Sequence, residues 1–431
     1  MFALPAIPTT GAGRPLLVGF SGGLDSTVLL CSLALSIAHR ERGLRAVHVH
    51  HGLNPDADHW AADCQRLCDR LGIALTIIHT DVRRDEGLGL EAAARKARYA
   101  AFESLLGDGE VLVLAHHRDD QAETFLMRAL RASGVDGLAA MPAWRAIGCG
   151  WLWRPLLAVP RGALLAYART HGLQWIDDAS NADTAMDRNF LRHHVLPLLR
   201  ERWPDADAAF ARTAALCGNA ATLLAGDDAI ALASMCPVDP HTLDVARLLE
   251  FDAPRRARVL RQWVANLGLP PLPSQGIAHI ESDLLHAAPD AHAQFEWAGA
   301  AIHRWRSALH AGMATKPWPM DWSTAWDGAQ ALELPDGGSL RLQGASSFAK
   351  TLLVRGRHGG ERITLPGRAH SHTLKHVLQD LDVPPWRRDR LPLLFDAEGE
   401  LLAAGDVAIS AAMADWLQAN AARLAHSAGS D

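Results

Sequence analysis

Lysine is nearly absent from this 431-residue chain: only Lys96, Lys316, Lys350 and Lys375 occur among 42 basic residues, and the other 38 are arginine. Acids outnumber bases, giving a net charge of −6, so overall basicity announces no nucleic-acid partner. Cysteines are few and scattered (Cys31, Cys64, Cys68, Cys149, Cys217 and Cys236) and none forms a Cys-x-x-Cys pair, which argues against a disulfide framework or a zinc clip. No apolar run approaches the roughly 20 residues a bilayer span needs. The opening residues, MFALPAIPTTGAGRP, lack the basic and apolar regions of a secretory signal, so a cytoplasmic protein is expected. Apolar residues at 49% and charged residues at 21% exclude wholesale disorder.

The first half alternates short apolar runs with amphipathic ones. Strands are expected at Leu16–Phe20, Arg45–His50, Ile73–His79 and Val111–His116, and helices at Thr27–His39, Asp58–Leu71, Leu90–Leu106 and Asp119–Arg131. A further βα portion spans Trp151–Trp175 and leads into the polar loop Asp177–Arg188. This rhythm predicts an α/β fold with a doubly wound parallel sheet and ligands at the carboxyl ends of its strands. From about residue 208 the texture becomes Ala- and Leu-rich and reads as helical without strand alternation. Short strands near 339–342 and 349–354 and a helix near 373–381 then suggest a small mixed α+β domain. The expected organisation is a catalytic domain over 1–213, a helical middle domain over 214–312, a linker over 313–330 and a C-terminal domain over 331–431.

The sharpest feature is Ser21-Gly22-Gly23-Leu24-Asp25-Ser26, directly after the first strand and opening the first helix. Two glycines allow a tight turn and close ligand approach, and the helix N-terminus offers unpaired N–H groups to an anion. A Walker loop would end in Gly-Lys-Ser/Thr; here Asp25 stands instead, which suits a carboxylate holding Mg²⁺ beside phosphates. Gly19-x-Ser21-x-Gly23 also fits the nucleophile elbow of serine hydrolases, although that elbow normally follows several strands.

The SGGLDS run resembles the PP-loop of the ATP pyrophosphatase superfamily, which cleaves ATP between the α- and β-phosphates to adenylate a carbonyl oxygen. Further runs narrow the resemblance: His48-Val49-His50-His51-Gly52-Leu53, Glu91 to Tyr99, Ala115-His116-His117-Arg118-Asp119-Asp120-Gln121-Ala122-Glu123-Thr124, Trp175-Ile176-Asp177-Asp178-Ala179-Ser180-Asn181, and Asp187-Arg188-Asn189-Phe190-Leu191-Arg192. Near the C-terminus stand Arg355-Gly356-Arg357-His358-Gly359-Gly360-Glu361-Arg362 and Leu374-Lys375 with Pro384-Pro385-Trp386-Arg387-Arg388. In this order they are similar to the three-domain form of the tRNA(Ile)-lysidine synthetase family. Ala132 departs from that pattern, standing where glycine is usual.

The resemblance implies ATP and Mg²⁺ as cofactors, and free L-lysine and tRNA(Ile) with a CAU anticodon as substrates. The implied reaction adenylates C2 of the wobble cytidine, and the lysine ε-amine then displaces AMP. ATP is expected on Ser21, Gly22, Gly23, Leu24, Asp25 and Ser26, with Asp25 the metal ligand and Asp25, His116 and Asp119 the catalytic candidates. Asp178 is the candidate for lysine recognition. Candidate tRNA contacts are Arg95, Arg98, Arg192, Arg355, Arg357, Arg362, Lys375, Arg387 and Arg388. Residues 355–390 hold eight Arg/Lys against four acids, a basic cluster that the net charge averages away. A dinuclear metal site among His48, His50, His51, His116, His117, Asp119 and Asp120 is a competing reading. A PP-loop thiolase, a small-molecule amidotransferase and the serine hydrolase remain as alternatives; no obligate protein partner or membrane association is expected.

Overall fold

The computed structural model describes residues 4–81, 90–178, 183–235, 239–288, 293–314, 318–319 and 321–427, with Leu90 and Glu91 described by backbone alone. Lys316, Cys236, Ser180 and Asn181 lie outside these residues. The chain divides into two compact units, Met1–Leu224 and Ala225–Asp431.

In the first unit the order is β1 (Leu16–Gly19), α1 (Leu24–Ala34), α2 (Ile37–Arg40), β2 (Leu44–His50), α3 (Ala57–Leu71), β3 (Ala74–His79), α4 (Leu90–Leu105), β4 (Val111–Val113), α5 (Arg118–Ala129), α6 (Val135–Leu138), β5 (Trp144–Ile147), β6 (Gly150–Trp153) and α7 (Arg161–Thr170). Then follow α8 (Asp187–Phe190), a π-turn over Leu191–Val195, α9 (Leu196–Arg202) and α10 (Ala206–Met235), within which the division of the two units falls. The sheet runs β3-β2-β1-β4-β6-β5, parallel except for the edge strand β5. Apolar β1 residues face both ways: Leu16 and Val18 join α1, α3 and α7 in one core, while Leu17 joins Phe102 and Leu106 of the α4 side in the other. The doubly wound expectation therefore holds, with the β5–β6 hairpin an addition that the βα rhythm concealed. Because β1 lies between β2 and β4, the chain reverses its winding there, and a crevice opens beyond the carboxyl ends of β1 and β4.

The helix expected over Thr27–His39 breaks at Leu35, which is exposed, and resumes as α2. At the end of α5, Ala132 takes φ +53° and the Ser133 N–H returns to the Arg128 carbonyl at 3.1 Å, a Schellman-type closure that favours glycine at this position. Ala132→Gly is expected to raise stability by on the order of 0.5–1 kcal/mol, the left-handed strain of alanine outweighing the extra freedom of an unfolded glycine. Urea denaturation checks this, and an unchanged midpoint would argue against strain.

The second unit corrects the all-helical reading of residues 208–310. After β7 (Thr242–Asp244), α11 (Val245–Leu249), α12 (Ala253–Asn266) and α13 (Ser274–His279) come three strands, β8 (Gln294–Trp297), β9 (Ala300–Trp305) and β10 (Ala308–Met313). They form an antiparallel sheet ordered β7-β10-β9-β8. Alanine-rich strands such as AAIHRW and ALHAGM carry little β propensity. The turns also lack the usual Asn-Gly signal: Ala298 and Arg306 themselves adopt φ +45° and φ +49°. Beyond them lie β11 (Ser323–Trp326), β12 (Leu332–Glu333), β13 (Ser339–Gln343), β14 (Leu352–Arg355), β15 (Arg362–Ile363), β16 (His372–Thr373), α14 (Leu374–Asp380), α15 (Pro385–Arg388), β17 (Leu393–Phe395), β18 (Leu401–Ala404), β19 (Ala408–Ile409), α16 (Ala411–Ala419) and β20 (Arg423–Ser427). Strand β11 and the buried Trp318 and Trp326 belong to this C-terminal core, so the stretch read as a linker contributes to packing.

Candidate active site

The loop after β1 turns at Gly22, whose φ of +83° suits glycine, and a Cβ there would stand 2.3 Å from the Ile176 side chain and 2.9 Å from Cys64 Sγ. Ile176 pairs with the loop, its N–H donating to the Gly22 carbonyl at 2.9 Å. Ser26 Oγ donates to the Gly23 carbonyl at 3.0 Å and lies 3.0 Å from Ser21 Oγ, so the hydroxyls brace the turn. Gly23 caps α1 in extended conformation without a side-chain cap, leaving the first N–H groups of an 11-residue helix to an anionic ligand. Ser21 meets Ser26 and not an imidazole, so the hydrolase reading lacks its base in contact with the hydroxyl.

Asp25, in the first turn of α1, is 30% exposed at its side chain, and its Oδ1 is buried with no hydrogen-bond partner. Its Oδ2 lies 3.5 Å from His117 Nε2, and Oδ1 lies 4.0 Å from Arg161 Nε. His117 ends the β4 crossover and is held by acids on several sides, with Nδ1 3.6 Å from Asp119 and Nε2 3.4 Å from Asp120. Burial alone would keep this ring neutral, but contacts with Asp119 and Asp25 and the charge of Asp120 prevail and raise its pKa to about 10. The surrounding carboxylates thus favour the protonated ring, while its Nδ1 also lies 3.4 Å from the Asp120 N–H as the cap of α5. Its charge contributes stability that is full below the unfolded value of about 6.5 and is lost as pH rises through 10. Stability should therefore decline across that window. His117→Gln should flatten the decline, and an unchanged slope would contradict the charged assignment.

The neighbouring His116 behaves in the opposite way. Burial, against the pull of Asp120 and with the repulsion of Arg154, Arg188 and Arg95, lowers its pKa to about 3. Its Nδ1 accepts from Arg154 Nε at 3.3 Å, which leaves the proton of the neutral ring on Nε2. His116 is accordingly a hydrogen-bond donor and a poor base. Arg154 also bonds the Pro142 carbonyl at 2.7 Å and Tyr99 Oη at 3.3 Å, while Arg95 and Arg145 lie over the Tyr99 ring. Arg95 thus joins a cationic wall, and Arg98 shares its helix.

Beneath Asp25 lies an ion network that the sequence reading largely missed. Glu123, only 1% exposed, accepts from Arg188 Nε and Arg192 Nε, each at 2.7 Å. Asp120 accepts from Nη2 of both arginines at 3.0 Å. Asp119 accepts from the Arg161 N–H at 2.9 Å and from Arg200 at 3.2 Å. Burial resists ionisation of Asp119 and Asp120, yet their cationic neighbours hold both below the ordinary carboxylate range. Arg188 and Arg192 come four residues apart, on the helical stretch that carries the π-turn, and Asp120 and Glu123 three apart on α5. Those spacings were the available signal.

His48 and His51 are braced by the surrounding chain. His48 Nδ1 donates to the Phe20 carbonyl at 2.9 Å, and His51 Nδ1 lies 3.0 Å from Thr80 Oγ1. Among the described residues no three His, Cys, Asp or Glu side chains are grouped to hold a metal. Cys64 is buried, which pushes its thiol up to about 12, an inert environment and not that of a thiolase. Asp178 lies in the extended segment after Ile176, whose Asp177 neighbour lines a cavity of about 980 Å³ with Trp60 and Trp175.

In the second unit, Glu361 is seated in the glycine turn, accepting from the His358 N–H at 2.7 Å and the Gly359 N–H at 3.0 Å. It gathers Arg355 at 3.3 Å and Arg357 at 3.7 Å. Arg362 bonds Ser371 on the surface, Lys375 and Arg387 are exposed, and Arg388 is buried at 6%.

A PP-loop at a winding reversal, a loop carboxylate and a cationic surround define a nucleotide-using PP-loop enzyme, and residues 7–199 match the PP-loop domain family. Residues 243–310 match the TilS substrate binding domain and residues 352–426 the TilS substrate C-terminal domain. The chain is 54% identical to a tRNA(Ile)-lysidine synthase of Xanthomonas axonopodis pv. citri, over 97% of this chain and 95% of that protein. It is 51% identical to one of Xylella fastidiosa over 97% and 96%, and 44% identical to one of Alkalilimnicola ehrlichii over 88% and 87%. The chain belongs to the tRNA(Ile)-lysidine synthase family, and is an ATP-utilising ligase.

Proposed function

We propose that this protein ligates free L-lysine to C2 of the wobble cytidine of a tRNA(Ile) bearing the CAU anticodon. The observation that carries this reading is the SGGLDS loop at the winding reversal, with Asp25 Oδ1 at its helix start accepting no hydrogen bond, in a chain of this family. ATP lies along Ser21–Ser26 with its phosphates at the α1 N-terminus. Cytidine O2 attacks the α-phosphorus and pyrophosphate leaves; the lysine ε-amine then attacks C2 and AMP leaves with that oxygen. The base must leave its stack to be reached. Asp25 fits Mg²⁺, which takes one or two carboxylates plus substrate phosphates and would offset their charge.

The chain's own groups supply orientation and field. His117 and Arg161 hold Asp25 in place, and Asp119 holds His117 and the start of α7. His116 Nε2–H donates to an oxygen of the substrates, and electrostatic stabilisation of developing charge is the main catalytic contribution. Asp178 is assigned to the lysine ammonium. Arg95, Arg98 and Arg192 border the reacting end of the tRNA, and Arg355, Arg357, Arg362, Lys375 and Arg387 bind its backbone, with Arg388 acting from inside the fold. No helix among the described residues is long and apolar enough to cross a membrane, and the reaction is placed in the cytoplasm, where ATP and tRNA are available.

Pyrophosphate release from ATP tests the reading: it should require the tRNA bearing CAU, and release independent of tRNA would contradict it. Replacing Arg355 and Arg357 together by alanine should weaken tRNA binding by on the order of tenfold and reduce its salt slope by one to two. Filter binding at two salt concentrations checks this, and an unchanged affinity and slope would remove the cluster from the interface.

A further inference from the structure

The Pro384-Pro385-Trp386-Arg387-Arg388 run contributes a conspicuous aromatic side chain that the chemistry leaves unused. Trp386, on α15, stacks on His303 of β9 with ring centroids 4.3 Å apart and planes 15° from parallel. His310 of β10 meets the same ring at 5.3 Å. His303 and His310 are direct cross-strand partners, so they present a paired platform on one face of the hairpin. Arg388, two residues on, donates to the Val383 carbonyl at 2.6 Å and lies 5.2 Å over the Trp305 ring. At the hairpin tip Arg306 binds Asp382 at 2.7 Å and the Gln379 carbonyl at 3.2 Å. Both Arg306 and Asp382 adopt left-handed backbone, φ +49° and +61°, so two tight turns meet at this contact. The contact joins the sheet of the middle region to the α14–α15 elbow, which carries Lys375 and Arg387.

We propose that the β9–β10 hairpin and the α14–α15 elbow form a latch keyed by Trp386, and that this latch positions the basic face of the C-terminal region for the tRNA. Trp386 is a positioning residue, acting through Lys375 and Arg387 and not by touching RNA. Arg388 belongs to the latch by the same geometry: its guanidinium is enclosed and lies over Trp305. The proposal rests on the tRNA substrate proposed above.

The test uses the full chain, with filter binding of the tRNA bearing CAU, ATP binding, and hydrogen–deuterium exchange over residues 300–313 and 374–390. Trp386→Ala should weaken tRNA binding about tenfold, since ordering of the basic face must then be supplied on binding. ATP affinity should stay unchanged and exchange should quicken in both segments. Trp386→Phe should restore binding to within about threefold, because a smaller aromatic ring still stacks. Arg306→Asp and Asp382→Arg should each weaken binding by roughly threefold, and the double variant should recover it. Trp386→Ala with unchanged tRNA affinity, or with unchanged exchange in both segments, overturns the latch. Should the wild-type chain not bind this tRNA at all, the substrate assignment falls, while the exchange comparison still decides the latch.

Discussion

Asp25→Asn should reduce tRNA-dependent pyrophosphate release by on the order of 10³-fold, because neutralising phosphate charge is worth several kcal/mol in transition-state stabilisation. The substitution keeps the size and shape of the side chain, exchanges one carboxylate oxygen for an amide NH2 and removes the charge. Asp25 is partly exposed, and its nearest cation, His117, retains Asp119 and Asp120. Folding and tRNA affinity should therefore stay near wild type, so the loss isolates chemistry from binding. Higher Mg²⁺ should recover part of the rate if the defect is weaker metal binding. Pyrophosphate release within tenfold of wild type would remove Asp25 from the metal site and leave its Oδ1 without a role.

Arg188→Ala should destabilise the first unit by about 3–5 kcal/mol, the usual cost of stranding a buried charge by deleting one partner. Glu123 is 1% exposed, and Arg188 and Arg192 form matching bonds to its two oxygens while sharing Asp120 Oδ1. Removing Arg188 leaves Glu123 facing Arg192 alone and Asp120 with Arg192 and His117. The defect should shrink at low pH. Asp120 is held below the ordinary carboxylate range partly by Arg188, so without that arginine it protonates more readily and its stranded charge disappears. Arg188→Lys should rescue little, since an ammonium cannot bridge Glu123 and Asp120 as the planar fork does. Thermal melts at pH 5 and pH 7.5 check both points. A midpoint within about 2 °C of wild type at both pH values would mean the network is not stabilising.

The strands, the loop and the carboxylate at its helix start were legible because each is a local pattern: an apolar run, a glycine pair, a helix start. The histidine beside Asp25 is His117, at 3.5 Å, while the adjacent His116 meets Arg154. The choice between adjacent residues depends on which way each side chain points as the chain leaves β4, and a short apolar run does not specify this. Arg188 and Arg192 stand more than 60 residues from the acids they bind, so only the fold brings them together. Arg388 read as a surface base because its neighbours are charged, and its burial comes from Trp305 on a distant hairpin. That hairpin was itself obscured by alanine-rich strands and a turn closed by Arg306 in place of glycine. Where the chain uses an uncommon residue for a common geometry, as at Ala132, Ala298 and Arg306, composition points away from the structure.

The reaction this enzyme carries out is the transfer of lysine to one tRNA. Incubation of the protein with ATP, Mg²⁺ and labelled lysine, with either tRNA(Ile) bearing CAU or elongator tRNA(Met) bearing the same anticodon, tests it most directly. Label should enter the first tRNA alone, in step with pyrophosphate release. Pyrophosphate release with no lysine incorporated, or equal labelling of both tRNAs, would contradict the account.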